Sequence, residues 1–185
     1  MSPQNWWQYT SGYKEAGDLL LQNALGGGRQ HVLVFPIVFM YRHYIELQLK
    51  EILLNNWAYL GISRGLPTYH NIGRLWAICR DVFHKMDEAV APEFTKTKQY
   101  QIEIVSRYDA LEADLKMFSQ WDPNSESFRY PIDKRGKPIV VNLKDINLKE
   151  LQELINRIST ELDGISVGAY DLLSQKEDTL SSYGY

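Results

Sequence analysis

The sequence predicts an all-α protein: an antiparallel up-and-down helical bundle of about five helices, with a small β-hairpin-like insertion near residues 127–141. Three observations support this fold class. Apolar residues recur at steps of three and four over several long stretches, which is the pattern of a helical face. Glycine or proline separates most of these stretches. Residues 35–60 are apolar on nearly all sides, as expected for the central helix of a bundle.

Composition limits the class of protein. The chain has 185 residues, of which 44% are hydrophobic and 23% charged, enough for one domain with a sizeable core. Its net charge of −3 predicts no general affinity for nucleic acid, so such binding needs a local basic patch. The single cysteine, Cys79, excludes an intrachain disulfide and fits a small core position.

The N-terminal residues show no recognisable secretory signal. The apolar run at residues 32–41 is shorter than the roughly 20 residues that a membrane-spanning helix needs. We therefore expect a cytoplasmic protein that has no membrane association.

The first two helices are separated by glycine. The first is expected at residues 5–25, because one face repeats with helical spacing: Trp6, Tyr9, Tyr13, Ala16 and Leu20. The glycines at 26–28 end it. The central helix then covers residues 35–60, with Pro36 in its first turn, where a missing N–H is harmless.

Three further helices are expected. The third begins near Asn71, a good N-cap residue, the fourth covers about residues 92–121, and the last covers about residues 148–173. Between the last two, short β-prone pieces flank residues 133–136 and predict a hairpin. A polar tail, residues 177–185, follows the last helix.

A charged strip interrupts the central helix. It consists of Arg42, His43, Glu46 and Lys50, which share one arc of the helix. Spacings of four residues allow Arg42 and Lys50 each to pair with Glu46. Two interpretations remain open: a structural ladder of ion pairs, or a polar functional pocket in the middle of the fold.

A second charged cluster lies in the hairpin-like insertion. It comprises Arg129, Lys134, Arg135 and Lys137, with Tyr130 beside it. Such a cluster can contact phosphates while the aromatic ring stacks on a base. The alternative is an ordinary solvated hairpin.

The positions of the histidines do not match a known metal site of helical bundles. A carboxylate-bridged metal pair in a bundle uses Glu-x-x-His pairs on two helices. This chain has the reversed order, His43-x-x-Glu46 and His84-x-x-Asp87, and its last helix has no histidine. Because this ligand set is incomplete, we expect no metal and no cofactor.

Three separated motifs occur in the order seen in a known family. YRHYIELQLKEIL (41–53) is followed by HNIGRLW (70–76), and FRYP (128–131) follows the fourth helix. From about residue 32 to residue 162, the chain resembles the HEPN helical bundles of prokaryotes, in which an apolar helix bearing Arg and Glu precedes a His-Asp-Leu-like helix start. FRYP is similar to the Arg-Tyr-Pro element of HEPN proteins that pair with small nucleotidyltransferases.

The resemblance implies one HEPN-like domain, residues 1–176, that forms a homodimer in a toxin–antitoxin or antiviral defence system. Many members are metal-independent endoribonucleases whose Arg and His, with four to six residues between them, lie at the dimer cleft. Arg64 and His70 have the required count, although Gly65 occupies the usually polar position; Arg80 and His84 are one residue too close.

The resemblance also assigns candidate residues. The catalytic candidates are His70, Arg64, Arg42 and Glu46, with histidine as acid or base and arginine stabilising phosphorane charge. The candidates for binding RNA or a partner such as a nucleotidyltransferase-like protein are Arg129, Tyr130, Lys134, Arg135, Lys137 and His43. The alternative is a HEPN-like dimerisation or partner-binding module that has no enzymatic activity.

Overall fold

A computed structural model describes residues 6–90, 97–122, 126–141 and 146–183. These residues form five α-helices and no strand, which confirms the predicted helical bundle. We number the helices in chain order: α1 (Trp6–Leu25), α2 (Gln30–Leu60), α3 (Ile72–Val90), α4 (Lys98–Ser119) and α5 (Leu148–Ser182).

Helix α2 is the centre of the bundle. It packs against α1, α3 and α5, and its fully buried side chains run along most of its length: Ile37, Val38, Tyr41, Ile45, Leu49, Ile52 and Leu53. It begins at Gln30, five residues before the predicted start, so Pro36 lies in its second turn and not its first. Proline there leaves the carbonyl of Val32 without its usual intrahelical donor.

Helix α2 is also long and apolar enough to cross a membrane, judged by length and composition alone. However, 56% of its apolar 18-residue window is buried inside the protein. The core helix of a soluble protein meets the same criterion, so this finding does not distinguish the two environments.

Helix α1 buries a face rotated from the predicted one, although Tyr13 and Leu20 of the predicted face pack partly buried against the core. Tyr9 is 62% exposed, and the buried residues are Thr10, Gly17, Leu21 and Ala24. A Cβ at Gly17 would lie 2.7 Å from Cε1 of Tyr41, so glycine is needed for α1 to pack this closely on α2. The hydroxyl of Tyr41 then donates a hydrogen bond to Asp18 at 2.8 Å.

The connection between α2 and α3 is an extended loop. Helix α2 ends at Gly61, which has a φ of 69°, and residues 62–71 have no regular secondary structure. The predicted cap of α3 is confirmed, because Asn71 Oδ1 accepts a hydrogen bond from the N–H of Arg74 at 2.8 Å. Cys79 is buried, as predicted, and His84 is exposed.

The expected β-hairpin near residues 127–141 is wrong in detail. Among the described residues of this segment, one antiparallel bridge joins Ile132 and Pro138, and no strand forms. The ladder does not extend because the N–H of Arg129, the donor beyond Pro131 that would face the other segment, is already hydrogen-bonded to the carbonyl of Glu126 at 3.1 Å. Pro131 also has no N–H to donate to the carbonyl of Ile139, which would be the next hydrogen bond of the ladder.

The last two helices differ from expectation at their ends. The described part of α4 begins at Lys98, after Thr97 as N-cap; the predicted start, residues 92–96, lies outside the described residues. Helix α5 continues to Ser182, through most of the segment expected as a tail. Its last part is held by Lys176, whose ammonium donates to the carbonyl of Tyr59 and lies 5.0 Å from that ring.

Candidate functional site

The predicted charged strip is buried and paired. The residues Arg42 and Glu46 are 1% and 3% exposed. Arg42 Nη1 lies 3.4 Å from Glu46 Oε2, and Lys50 Nζ lies 2.8 Å from Glu46 Oε1. The spacing of four residues therefore produces the ion pairs that the sequence allowed.

Asp122 is a further partner of Arg42, from the turn after α4. Arg42 Nε lies 3.4 Å from the carbonyl oxygen of Asp122 and 3.5 Å from its Oδ2. The other carboxylate oxygen, Oδ1, accepts the backbone N–H groups of Glu126 and Ser127 at 3.0 and 3.1 Å. The sequence predicted that the fourth helix ends just before this aspartate, but nothing local to it indicated a contact with Arg42.

His70 completes the cluster from the loop between α2 and α3. Its Nδ1 lies 2.8 Å from Glu46 Oε1, and its backbone carbonyl accepts a hydrogen bond from Arg42 Nη2 at 2.6 Å. Its side chain is 56% exposed. The site thus presents an accessible imidazole that a buried carboxylate orients from within the bundle.

Chain geometry explains how His70 reaches Glu46. The end of α2 at Leu60 lies about 21 Å along the helix axis from Glu46. Ten residues of extended chain span at most about 33 Å. A loop without regular structure can therefore run back along α2 from Leu60 to the level of Glu46.

Electrostatics keep Glu46 ionised. Burial raises the pKa of Glu46, but hydrogen bonds from Lys50 and His70 outweigh burial and hold this pKa below its usual value. Burial lowers the pKa of Arg42, opposed by the charges of Asp122 and Glu46. The arginine stays protonated because its ordinary pKa is so high.

His43 lies on the same helix in an aromatic environment. Its ring meets Tyr13 edge-on at a centroid distance of 4.3 Å and stacks on Phe39 at 5.9 Å. Burial lowers the pKa of His43, with Glu46 acting in the opposite direction. This environment favours a neutral packed imidazole over an exposed phosphate-binding cation.

The basic segment lies beside the N-terminal half of α2. The guanidinium of Arg129 lies 6.0 Å from the Phe39 ring and 5.2 Å from the Tyr130 ring. Lys134 forms an ion pair with Glu126 at 2.8 Å, and Arg135 and Lys137 are exposed, in a turn held by hydrogen bonds from their backbone N–H groups to Asp133. Arg129 is thus the member of this group that contacts the central helix, and Tyr130 lies beside it.

Arg64 is separated from the other candidates. Its guanidinium lies 5.0 Å from the Trp57 ring, and Trp57 is eleven residues, or about 16 Å of helix, from Glu46. The loop passes Trp57, near the C-terminal end of α2, before it reaches the level of Glu46 at His70. The matching count between Arg64 and His70 therefore does not place the two side chains at one site.

The described residues contain no group of three or more His, Cys, Asp or Glu that could hold a metal ion. The two reversed histidine motifs do not converge: His43 packs among aromatic rings, whereas His84 is exposed beside Glu88 on α3. The chain matches no protein-family model, and searches of curated proteins and of solved structures found no match.

Proposed function

We propose that the protein is a HEPN-like, metal-independent endoribonuclease of a prokaryotic defence or toxin–antitoxin system, acting in the cytoplasm as a homodimer. One observation carries the proposal: the exposed imidazole of His70 is hydrogen-bonded to the buried carboxylate of Glu46 at 2.8 Å. The order of the motifs that resemble HEPN proteins supports the same assignment.

The Glu46 carboxylate determines which ring nitrogen of His70 carries the proton. An ionised carboxylate only accepts hydrogen bonds, so Nδ1 of His70 carries the proton that points to Glu46. The lone pair of a neutral His70 ring then lies on Nε2, which is the form required of a general base. A protonated His70 donates from the same Nε2 and serves as a general acid.

RNA cleavage without metal uses both forms. The base removes the proton of the ribose 2′-hydroxyl, the 2′-oxygen bonds to the adjacent phosphorus, and the bond to the 5′-oxygen breaks as the acid protonates that oxygen. The products are a 2′,3′-cyclic phosphate and a 5′-hydroxyl. A homodimer cleft supplies two copies of His70, one for each role.

The arginines have different roles in this proposal. Arg42 is buried and already bonded to Glu46, Asp122 and the His70 carbonyl, so it is a positioning residue. Arg129 is exposed on the neighbouring segment and is the better candidate for stabilising phosphate charge.

The second candidate is a non-catalytic HEPN-like module that dimerises or binds a partner such as a nucleotidyltransferase-like protein. The ion pairing of the buried charges favours it. Arg42, Glu46 and Lys50 each have partners, so a structural ladder accounts for them without any reaction.

A cleavage assay in excess EDTA separates these functions. We expect the wild-type protein to cut single-stranded RNA in chelator and to leave cyclic phosphate ends, and His70→Ala to lose this activity. The matched control is His84→Ala, an exposed histidine on α3, which is expected to cleave normally. Activity that requires added metal, or that persists in His70→Ala, excludes the proposed reaction, and light scattering tests the required dimer.

A further inference from the structure

A cavity of about 320 Å³ lies between the first half of α2 and the segment that follows α4. Its wall is largely aromatic and aliphatic and includes Phe35, Phe128, Tyr130 and Ile139. The rings of Phe35 and Phe128 are 6.0 Å apart, and Phe128 is buried. Tyr130 is 54% exposed, so one flat ring remains accessible at the edge of this cavity.

Arg129 brings positive charge to the same cavity. Its guanidinium lies over two aromatic rings, Phe39 and Tyr130, and it forms no ion pair with any carboxylate among the residues that the structure describes. The nearby acids are engaged elsewhere: Asp122 with Arg42, and Glu126 with Lys134. The charge of Arg129 is therefore available to an anionic ligand.

The cavity is structurally connected to the His70 cluster. Ser127, in the cavity wall, donates its backbone N–H to Asp122, and Asp122 contacts the arginine that holds the His70 carbonyl. Along α2, Phe35 in the cavity wall is eleven residues from Glu46, about 16 Å of helix. A short single strand of RNA can therefore reach the cavity and the His70 ring at the same time.

We infer that this cavity binds one unpaired nucleobase of a single-stranded RNA, stacked on Tyr130, while Arg129 contacts the adjoining phosphate. The combination of a flat apolar wall with one unneutralised guanidinium fits a ligand that is aromatic at one end and anionic at the other. The volume is within the range of small-ligand pockets. This inference rests on the proposed function, because it assigns a subsite to the same substrate.

Binding is measured apart from cleavage with a fluorescein-labelled tetranucleotide whose 2′-hydroxyls are all methylated, which prevents the cleavage reaction. We expect Tyr130→Ala to weaken binding about 5- to 150-fold, the range for loss of one base–aromatic stack. We expect Arg129→Gln to weaken binding and to reduce the slope of log affinity against log salt by about 0.7. Both side chains are exposed, and thermal melting verifies that each variant is folded.

Matched controls come from exposed residues on other helices. Tyr9→Ala on α1 and Lys85→Gln on α3 remove an exposed tyrosine and an exposed cation away from the cavity wall, and we expect wild-type affinity from both. Equal affinity for the tetranucleotide and for the same four bases fully paired within the stem of a stable hairpin overturns the inference, since a paired base cannot enter the cavity.

The result also separates this inference from the proposed function. If Tyr130→Ala weakens binding but the wild-type protein cuts no RNA, the result supports the base-binding cavity and refutes the proposed cleavage reaction. If the wild-type protein cuts RNA while Tyr130→Ala and Arg129→Gln bind the tetranucleotide normally, the result supports the cleavage reaction and refutes the base-binding cavity.

Discussion

Nδ1 of His70 lies 2.8 Å from Oε1 of Glu46, so a residue of an exposed loop is bonded to a carboxylate inside the bundle, 24 positions earlier in the chain. Glu46 is almost fully buried, whereas the His70 ring is half-exposed. The contact therefore joins the rigid core to a group that can meet a substrate.

Replacing His70 with alanine is expected to lower the rate of RNA cleavage strongly and the free energy of unfolding only slightly. If His70 transfers protons, cleavage should fall about 10²- to 10⁴-fold. The free energy of unfolding should fall by about 1 kcal/mol, because the ring is half-exposed and alanine retains the carbonyl that Arg42 holds. Urea denaturation beside the cleavage assay measures both, and a loss of stability above about 3 kcal/mol would show that the ring is chiefly structural.

Glu46→Gln should alter the dependence of stability on pH. The folded-state pKa of Glu46 is below its ordinary value of 4.5, so its ionisation stabilises the protein above that pH, and this contribution is lost as the pH falls through the folded pKa. The deficit of Glu46→Gln relative to wild type should therefore be largest near pH 7 and shrink below about pH 4.5. Urea denaturation at several pH values measures it.

Glu51 on the same helix is the matched control with the opposite sign. Burial, together with the charge of Asp163, raises the pKa of Glu51 above 4.5. Its ionisation therefore costs stability as the pH rises, and Glu51→Gln should be more stable than wild type at pH 7 and equal to it in acid. Parallel pH profiles for Glu46→Gln and Glu51→Gln would refute this assignment of the two carboxylates.

Arg42→Ala should be severely destabilising. It leaves the Asp122 carboxylate buried without its ion pair and removes one of the cations that face Glu46. The expected loss is about 3–5 kcal/mol in urea denaturation. Arg157→Ala is the control, since that exposed arginine also pairs with a carboxylate, Asp114, and should cost about 1 kcal/mol or less. Similar losses in both variants would mean that the buried pairing contributes nothing beyond a surface pair.

Two glycines of α1 test the packing of that helix. A Cβ at Gly17 would meet the Tyr41 ring at 2.7 Å, whereas a Cβ at Gly12 would have nothing within 4 Å. Gly17→Ala should therefore lower the free energy of unfolding by about 1–3 kcal/mol. Gly12→Ala should raise it by up to about 1 kcal/mol, as expected for alanine inside a helix. Thermal unfolding of the pair measures the difference, and stabilisation of both would show that α1 does not approach Tyr41 so closely.

The sequence was sufficient for features that depend on neighbours along the chain. Helical periodicity identified the helices and the central position of α2, and spacings of four residues predicted the pairing around Glu46. The Asn71 cap is equally local, because its side chain bonds to the third residue after it. These interactions need no knowledge of the rest of the fold.

Features that depend on distant parts of the chain were missed. The role of Asp122 depends on where the turn after α4 meets α2, which no local pattern encodes. The face that α1 buries most fully includes Gly17, whose close fit on Tyr41 is not visible in a pattern of apolar side chains. The residue count from Arg64 to His70 ignored the extended loop between them, which carries Arg64 to Trp57 instead.

Arg42 anchors the loop through the main chain of residue 70, and main-chain carbonyls are common to every amino acid. Position 70 is therefore open to exchange during evolution at little expense to the architecture. Descendants of one ancestor could lose or regain an imidazole there by single codon changes. Reactive and inert members of such a lineage would then be almost indistinguishable in overall shape.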